Sequence, residues 1–460
     1  MRFNMGKWIR CLSILSILAL FKGVQPSYAL NNGLGLTPPM GWNPWNTIGR
    51  WTTLKDYKEM IDLMEKNGMQ EAGYNYVAAD GGPFMYGPDD GLKEFIDYAH
   101  SKGFKAGLYY GHRNSNPEST LTSWVKLGFD YLKHDSYDSL WTNPVYNRMK
   151  NAILKCGRPV YYSIHPKNLA PMPDTLCHAQ RVDNDILWKI DTLFWDTSKN
   201  NGSGVMGEVK ASRRREQLAK PGFFNDMDMM GVGMPITLTT NQAKTHFAFW
   251  CIMTSLLIEG SDLRKITKER LDILLNRELI AVNQDSLGDQ GKVVATQFKG
   301  IDSVEVISKK MKDGSRAVML FNRNGSTKDI TFKISDIGLT GKVYTRDLWT
   351  HTNLPEAMDS ITIPNIPKHG CAMLRISTTP ILTGINKTPI YNQLPQTRTL
   401  LFHSETTAFL KLNAKQKAVR IFNLEGKLLW EKNFAGLNVG EKIDIPFGLK
   451  NYRVLIAQFQ

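Results

Sequence analysis

From about residue 37 to 290, short apolar runs recur roughly every 25–30 residues, with a helical pattern between them. No other feature limits the fold so narrowly. Residues 73–80, 105–110, 129–134 and 159–163 read as strands. Tyr57, Met60, Ile61 and Met64 have the i, i+3, i+4, i+7 spacing of one helix face, and Leu92, Phe95, Ile96 and Ala99 repeat it. Gly68 and Gly103 follow these two segments as C-terminal caps, and a further helix falls near 144–155. Strand–helix–strand units of this length imply parallel pairing. Sustained over about 250 residues, they fit a closed (β/α)8 barrel better than an open sheet. No Gly-x-Gly-x-x-Gly follows any of the strands, which argues against a dinucleotide-binding sheet.

From 292 the texture changes. Residues 293–298, 304–307, 317–321 and 330–334 are short alternating runs separated by Gly, Asn and Asp, the pattern of an antiparallel β-sandwich reaching to about 378. A stretch with Pro380, Pro389 and Pro395 then leads into a small β-rich unit that includes 419–430. The expected class is α/β: a barrel over 30–291, a sandwich over 292–378, and a linker with a small β domain over 379–460.

Residues 1–29 carry Arg2, Lys7, Arg10 and Lys22 and no acid, enclose an apolar run at 11–21 and end in Ser27-Tyr28-Ala29. That is the form of a secretory signal peptide, and the apolar run is too short to span a bilayer. Removing it takes four of the 57 basic residues and lowers the net charge of +14 accordingly. The remaining positive charge is scattered, with a single run at Arg213-Arg214-Arg215, so nucleic acid is not an expected partner. No later stretch is apolar and long enough to span a membrane. The chain is expected to be exported: periplasmic, on the cell surface or extracellular.

After cleavage four widely spaced cysteines remain, Cys156, Cys177, Cys251 and Cys371. They form no Cys-x-x-Cys pair, so neither a zinc ribbon nor a disulfide-built scaffold is expected. His-Glu-x-x-His, Gly-x-Ser-x-Gly and P-loop signatures are absent, and the histidines do not cluster at metal spacing, so neither metal nor cofactor is expected.

In a barrel, chemistry sits where strands end. Asp80, Asp135, the pair Asp183 and Asp185 after Arg181, and the pair Asp226 and Asp228 all fall at such ends. Carboxyl groups converging on one mouth are what glycoside hydrolysis requires, one attacking the anomeric carbon and another protonating the leaving oxygen. Acids so placed can equally hold a divalent cation or cap helices.

Several motifs, in order along the chain, resemble glycoside hydrolase family 27, the α-galactosidase family. They are Pro38-Pro-Met-Gly-Trp-Asn-Pro-Trp-Asn46, Tyr131-Leu-Lys-His-Asp135, Asn225-Asp-Met-Asp-Met229, Ser261-Asp-Leu-Arg264, the stretch 280–291, Arg346-Asp-Leu-Trp349 and Pro367-Lys-His-Gly370. The resemblance implies a metal-free retaining exo-glycosidase releasing terminal α-D-galactose from an oligosaccharide or polysaccharide. It implies Asp135 as nucleophile and Asp185 as general acid/base, with Asp183 the alternative acid. It also implies a sugar shell of Trp45, Asp80, Tyr109, Lys133, Arg181 and Asp228. Lys133, two residues from Asp135 on the same strand face, is placed to keep that carboxylate ionised, or to form a structural ion pair. Trp45 can serve as a sugar platform or as ordinary core.

The departures bear on the sugar. The family's second acid after Asp80 is Gly81 here. Its Cys-Glu-Trp after the fifth strand is Ile164-His165-Pro166, which removes the usual partner of Cys177. Tyr137 replaces a cysteine, and His112-Arg113-Asn114 replaces the usual loop after the third strand. A lost charged hydrogen bond costs about 1.5–3 kcal/mol. A β-L-arabinopyranoside, which lacks the 6-hydroxymethyl group, is therefore a second candidate substrate, and a non-catalytic carbohydrate-binding protein is a reading from another class. The last unit resembles the C-terminal sorting domain of type IX secretion, through strands at 419–422 and 452–456 and a turn at 423–426.

Overall fold

The computed structural model describes residues 32–80, 90–111, 124–135, 143–166, 169–187, 189–196, 202–234, 237–298 and 303–381, with Leu30 and Leu121, and the backbone of six strands between Arg398 and Phe459. The leader at 1–29, Gly81, the 112–114 loop, Tyr137, most of the Pro-containing spacer and the 423–426 turn lie outside the described residues.

Eight parallel strands form the first layer: β1 (Met40–Trp42), β2 (Tyr76–Ala79), β3 (Lys105–Tyr110), β4 (Tyr131–Asp135), β5 (Tyr161–His165), β6 (Ala179–Arg181), β7 (Phe224–Asp226) and β8 (Leu257–Glu259). Their order is β7-β6-β5-β4-β3-β2-β1-β8. A parallel bridge from Met230 to Glu259 joins the two ends, with the Met230 amide donating to the Ile258 carbonyl at 2.7 Å. The sheet is thus a closed barrel, as the alternation of strands and helices implied.

Helices cover it. The Leu54–Lys66 helix starts at a capping box between Thr53 and Asp56 and buries Tyr57, Met60, Ile61 and Met64. Burying those four side chains is worth about 1.5–3 kcal/mol each. Gly68 then takes φ 73°, a left-handed conformation that a residue with a Cβ adopts at a cost.

Several strands shift from their sequence-based limits, and two of the shifts bear on the site. The second was expected from residue 73, but Gly73, at φ 109°, closes the short Met69–Ala72 helix, so pairing begins at Tyr76. The fifth was expected to stop at 163, yet it runs on through His165, which pairs with Asp135. Alternation along β4 turns Tyr131, Lys133 and Asp135 to the barrel interior, and Leu132 and His134 to the helices. His134 is fully buried there, with Nδ1 2.6 Å from the Tyr162 hydroxyl, and burial pushes its pKa down to about 3. Inside the barrel, Tyr131 stacks on Tyr161 at 5.5 Å and meets Tyr76 edge-on at 5.9 Å. Gly107 makes room for this layer, since a Cβ there would sit 2.9 Å from the Tyr131 ring.

The sandwich contains an antiparallel sheet of β9 (Lys292–Gln297), β10 (Val304–Lys310), β11 (Arg316–Asn322), β13 (Val343–Asp347), β14 (Thr352–Ala357) and β16 (Cys371–Ser377), and a pair formed by β12 (Lys328–Lys333) and β15 (Ser360–Ile366). It joins the barrel through apolar packing and paired charges. Phe321 meets Phe249 at 5.0 Å. Arg346 makes two bonds of 2.7 Å to Glu278. Lys309, fully buried, donates to Thr254 Oγ1 at 2.7 Å and to the Val282 carbonyl at 2.5 Å.

A second compact unit begins at Leu382. It holds a four-stranded antiparallel sheet of β17 (Arg398–Phe402), β22 (Val454–Phe459), β19 (Gln416–Phe422) and β20 (Leu428–Leu437), and a pair of β18 (Phe409–Lys411) and β21 (Lys442–Asp444). The strands read at 419–422 and 452–456 correspond to β19 and β22, which pair with each other. Among the described residues, no helix is long and apolar enough to cross a membrane, and the cysteines Cys156, Cys177, Cys251 and Cys371 are all free thiols.

Candidate active site

The C-terminal ends of β2, β4, β5, β6 and β7 bring charged side chains together at one mouth of the barrel. Asp80 follows β2 and is buried. It accepts from Asn43 Nδ2 at 3.0 Å and from Lys133 Nζ at 3.5 Å. Lys133 divides itself between two acids, since its Nζ is also 3.5 Å from Asp135 Oδ2. The same ammonium lies 5.0 Å from the centre of the Tyr109 ring. Burial alone would lower the Lys133 pKa, but Asp80 and Asp135 more than offset it, and the group stays cationic.

Asp135 ends β4. Burial pushes its carboxyl up, but the neighbouring His165 and then Lys133 outweigh burial and hold it well below the usual carboxylate range. His165 Nδ1 stands 2.9 Å from Asp135 Oδ1. Asp135 is thus kept as an anion in a poorly solvated place, the state a nucleophile needs.

Asp185 follows β6. Its surroundings act in the opposite direction: burial of the carboxyl first, with Asp228 and Asp135 adding to it, raises its pKa against the pull of Arg181 and Lys133. About a third of the side chain (36%) remains open at the mouth, so a substrate oxygen can reach it. The electrostatic reach of Asp135 to Asp185 means that the two carboxyl groups share one site, with pKa values displaced in opposite directions. Asp183, the alternative acid, bends back to accept from the Asn184 amide at 2.9 Å.

Arg181 is buried beneath Asp185. It contacts Asp228 Oδ2 at 2.8 Å and Asp185 Oδ1 at 3.5 Å, and donates to the Asn184 carbonyl at 2.7 Å. The family resemblance makes Asp228 a sugar contact. Its carboxylate is also engaged locally, since besides Arg181 it accepts from the Ile186 amide at 2.8 Å and the Met229 amide at 2.8 Å. It therefore ties down the loop that carries Asp185, and of about four acceptor positions one remains. Its φ of 67° is a left-handed conformation, held by these bonds.

Trp45 is partly exposed and packs over the apolar layer that contains Tyr76, Tyr131, Tyr161 and Met229. Its amide donates to Asn43 Oδ1 at 2.9 Å. Below the mouth lies a cavity of about 20 Å³, lined by Trp42, Tyr76, Tyr131, Asp226, Asp228 and Ile258, among others. That is room for about one water molecule. Asp226 opens onto this cavity, accepts from the Asp228 amide at 2.9 Å and Ser163 Oγ at 3.3 Å, and has its pKa raised by burial.

Three residues of the site carried no assigned role in the sequence. Asn43 sits inside the motif at 38–46 but gave no sign that it would orient Asp80. His165 stood only as a departure from the family's residues after the fifth strand, with no contact to Asp135 legible. Glu259 ends β8 fully buried, accepting from the Ser261 amide at 3.1 Å and the Gly233 amide at 3.2 Å. Burial raises its pKa to about 7 against these bonds. A folded-state pKa above the unfolded value near 4.5 adds stability that is full below pH 4.5 and lost as the pH rises through about 7. The shift corresponds to about 3 kcal/mol. Glu259→Gln, which mimics the protonated side chain, is expected to raise Tm by several degrees at pH 8, with the gap closing toward pH 4.5 in thermal melts. Among the described residues, no group of three or more His, Cys, Asp or Glu side chains is placed to hold a metal ion.

Residues 37–285 match the family model described as alpha galactosidase A, and residues 302–376 the alpha galactosidase C-terminal beta sandwich domain. The α-galactosidase of Cyamopsis tetragonoloba is 32% identical over 381 residues, 75% of this chain and 87% of that one. Alpha-galactosidase A of Cellvibrio japonicus is 32% identical over 410 residues, 78% and 97% of the two chains. The crystal structure of α-galactosidase I from Mortierella vinacea superposes with a TM-score of 0.66 at 27% identity, covering 75% of this chain and 98% of that one. A barrel whose strand ends gather paired acids around a lysine and an arginine, followed by a matching sandwich, places this chain among the glycoside hydrolases: it belongs to the alpha galactosidase A family.

Proposed function

We propose that the protein is an exported, retaining exo-glycosidase that releases terminal α-D-galactose from oligosaccharides or polysaccharides. The observation that carries this reading is the opposed displacement of the two carboxyl groups at one mouth, Asp135 held low and Asp185 raised. In the first step an Asp135 oxygen bonds to the anomeric carbon, the glycosidic C–O bond breaks, and Asp185 gives its proton to the leaving oxygen. In the second step Asp185, now a base, takes a proton from water, whose oxygen bonds to the anomeric carbon as the Asp135 ester bond breaks. Two inversions give net retention. Trp45 offers the sugar an apolar face, and Asp80, Lys133 and Arg181 supply hydrogen-bonding groups around it.

Release of nitrophenol from a panel of aryl glycosides tests the sugar. The α-D-galactoside is expected to be cleaved at least tenfold faster than the others. Gly81 removes an acid that the 6-hydroxyl of galactose would use, so preference for the β-L-arabinopyranoside is the competing outcome. Binding of a glycan with no release from any substrate would favour the carbohydrate-binding reading. Export rests on the leader-like segment at 1–29 and on the strands of the last unit, read as a sorting domain. Running the same assay on cell and medium fractions of an expressing bacterium tests it.

A further inference from the structure

The extension of β5 through His165 sets this residue against Asp135. The two pair across the parallel strands and end them together, so their side chains leave on the same face. Both are largely enclosed, at 12% and 11% exposure. Tyr146 donates to the His165 carbonyl at 3.2 Å, and Pro166, which follows, is buried. These fix the backbone from which the ring projects. Nδ1 stands at ion-pair distance from Asp135 Oδ1, 2.9 Å, but off the angle of a hydrogen bond, so the ring acts on the carboxylate electrostatically. The position would hold an acid by the resemblance described above. A histidine there inverts the sign: an acid would repel Asp135, whereas the imidazole attracts it.

We propose that His165 is a positioning residue for the nucleophile, holding the Asp135 carboxylate through Nδ1 and stabilising it as the leaving group when the glycosyl-enzyme is hydrolysed. The inference rests on the double-displacement reading. In that second step the water oxygen bonds to the anomeric carbon and its proton passes to Asp185. The bond from the anomeric carbon to Asp135 breaks, and its electron pair returns to the carboxylate. The charge that reappears on Asp135 meets the His165 ring at ion-pair distance. Other charged groups around the site are Lys133 from β4, Arg181 from β6, and Asp80, Asp185 and Asp228 from the loops after β2, β6 and β7. Lys133 stands 3.5 Å away and is shared with Asp80, so His165 makes the closer contact. The same contact tempers Asp135 as an attacking group. Its loss therefore slows departure more than attack, and the two steps separate in the kinetics.

The experiment compares wild type, His165→Ala and His165→Asn on 2,4-dinitrophenyl α-D-galactoside by stopped flow. In His165→Ala, kcat is expected to fall about ten- to a hundredfold, the worth of one close, poorly solvated electrostatic contact to a charged group. KM should fall in parallel, kcat/KM should change less than about threefold, and a burst of dinitrophenol should mark accumulated glycosyl-enzyme. His165→Asn, whose amide N–H reaches about as far as Nδ1, is expected to recover part of kcat. A kcat/KM that falls as far as kcat without a burst, or an unchanged kcat, overturns the proposal while leaving the proposed function standing. No turnover by wild type on any glycoside of the panel overturns both.

Discussion

Asp135→Ala is expected to lower kcat about 10⁴- to 10⁶-fold with the fold intact. The magnitude follows from what is removed. Without the carboxylate no covalent intermediate forms, and the anomeric carbon faces a methyl group. The cation left behind is not stranded, since Lys133 keeps Asp80 at 3.5 Å. Circular dichroism should match wild type, and Tm should change by a few degrees. The space left by the carboxylate admits a small anion from the same side. Azide is therefore expected to restore release from an activated α-galactoside and to yield the β-galactosyl azide. Full activity in Asp135→Ala, or an α-configured azide product, would remove Asp135 from the reaction.

Asp185→Asn is expected to show an effect that depends on the leaving group. A positioned acid contributes about 10²- to 10⁴-fold when the leaving oxygen needs its proton. For an α-galactosyl oligosaccharide, whose leaving sugar oxygen needs a proton, kcat/KM should fall by that factor. For a dinitrophenyl group, which leaves unaided, kcat/KM should barely change, while kcat drops because water lacks its base. The pH profile carries a second signature. On the proposed mechanism, wild-type kcat/KM requires Asp135 ionised and Asp185 protonated. Asp135 is held below the usual carboxylate range, so the acid side of the profile stays open. Asp185 is raised, so activity falls as the pH climbs through a value higher than an ordinary aspartate's. In Asp185→Asn this alkaline limb should vanish. A limb that survives unchanged in the variant would assign it to another group, and Glu259, raised to about 7, is then the one to replace.

The two predictions differ in how far the sequence alone supported them. The alternation of Tyr131, Lys133 and Asp135 could be read from a period of two, and it does put lysine and aspartate on one face. The Arg181 to Asp185 spacing likewise named both members of a contact now seen at 3.5 Å. Neither reading could anticipate His165, because its contact with Asp135 crosses 30 residues and depends on the register between β4 and β5. Asn43 turning toward Asp80 and the Asp228 carboxylate closing on the Ile186 amide are of the same kind. Gly81, the 112–114 loop and Tyr137 enter through sequence alone.

The sequence by itself determined the architecture. Strand and helix periods, capping residues and the shift to short alternating runs after 292 are local properties, and a chain alternating in this way has few layouts in which to bury its apolar faces. The tertiary structure alone decided the charge state of each acid. Asp80, Asp135 and Asp185 are the same residue type at similar strand ends, yet Asp135 is held low and the other two are raised. That difference comes from desolvation and from which charges lie within a few ångströms, and both are set by distance in space rather than by position along the chain.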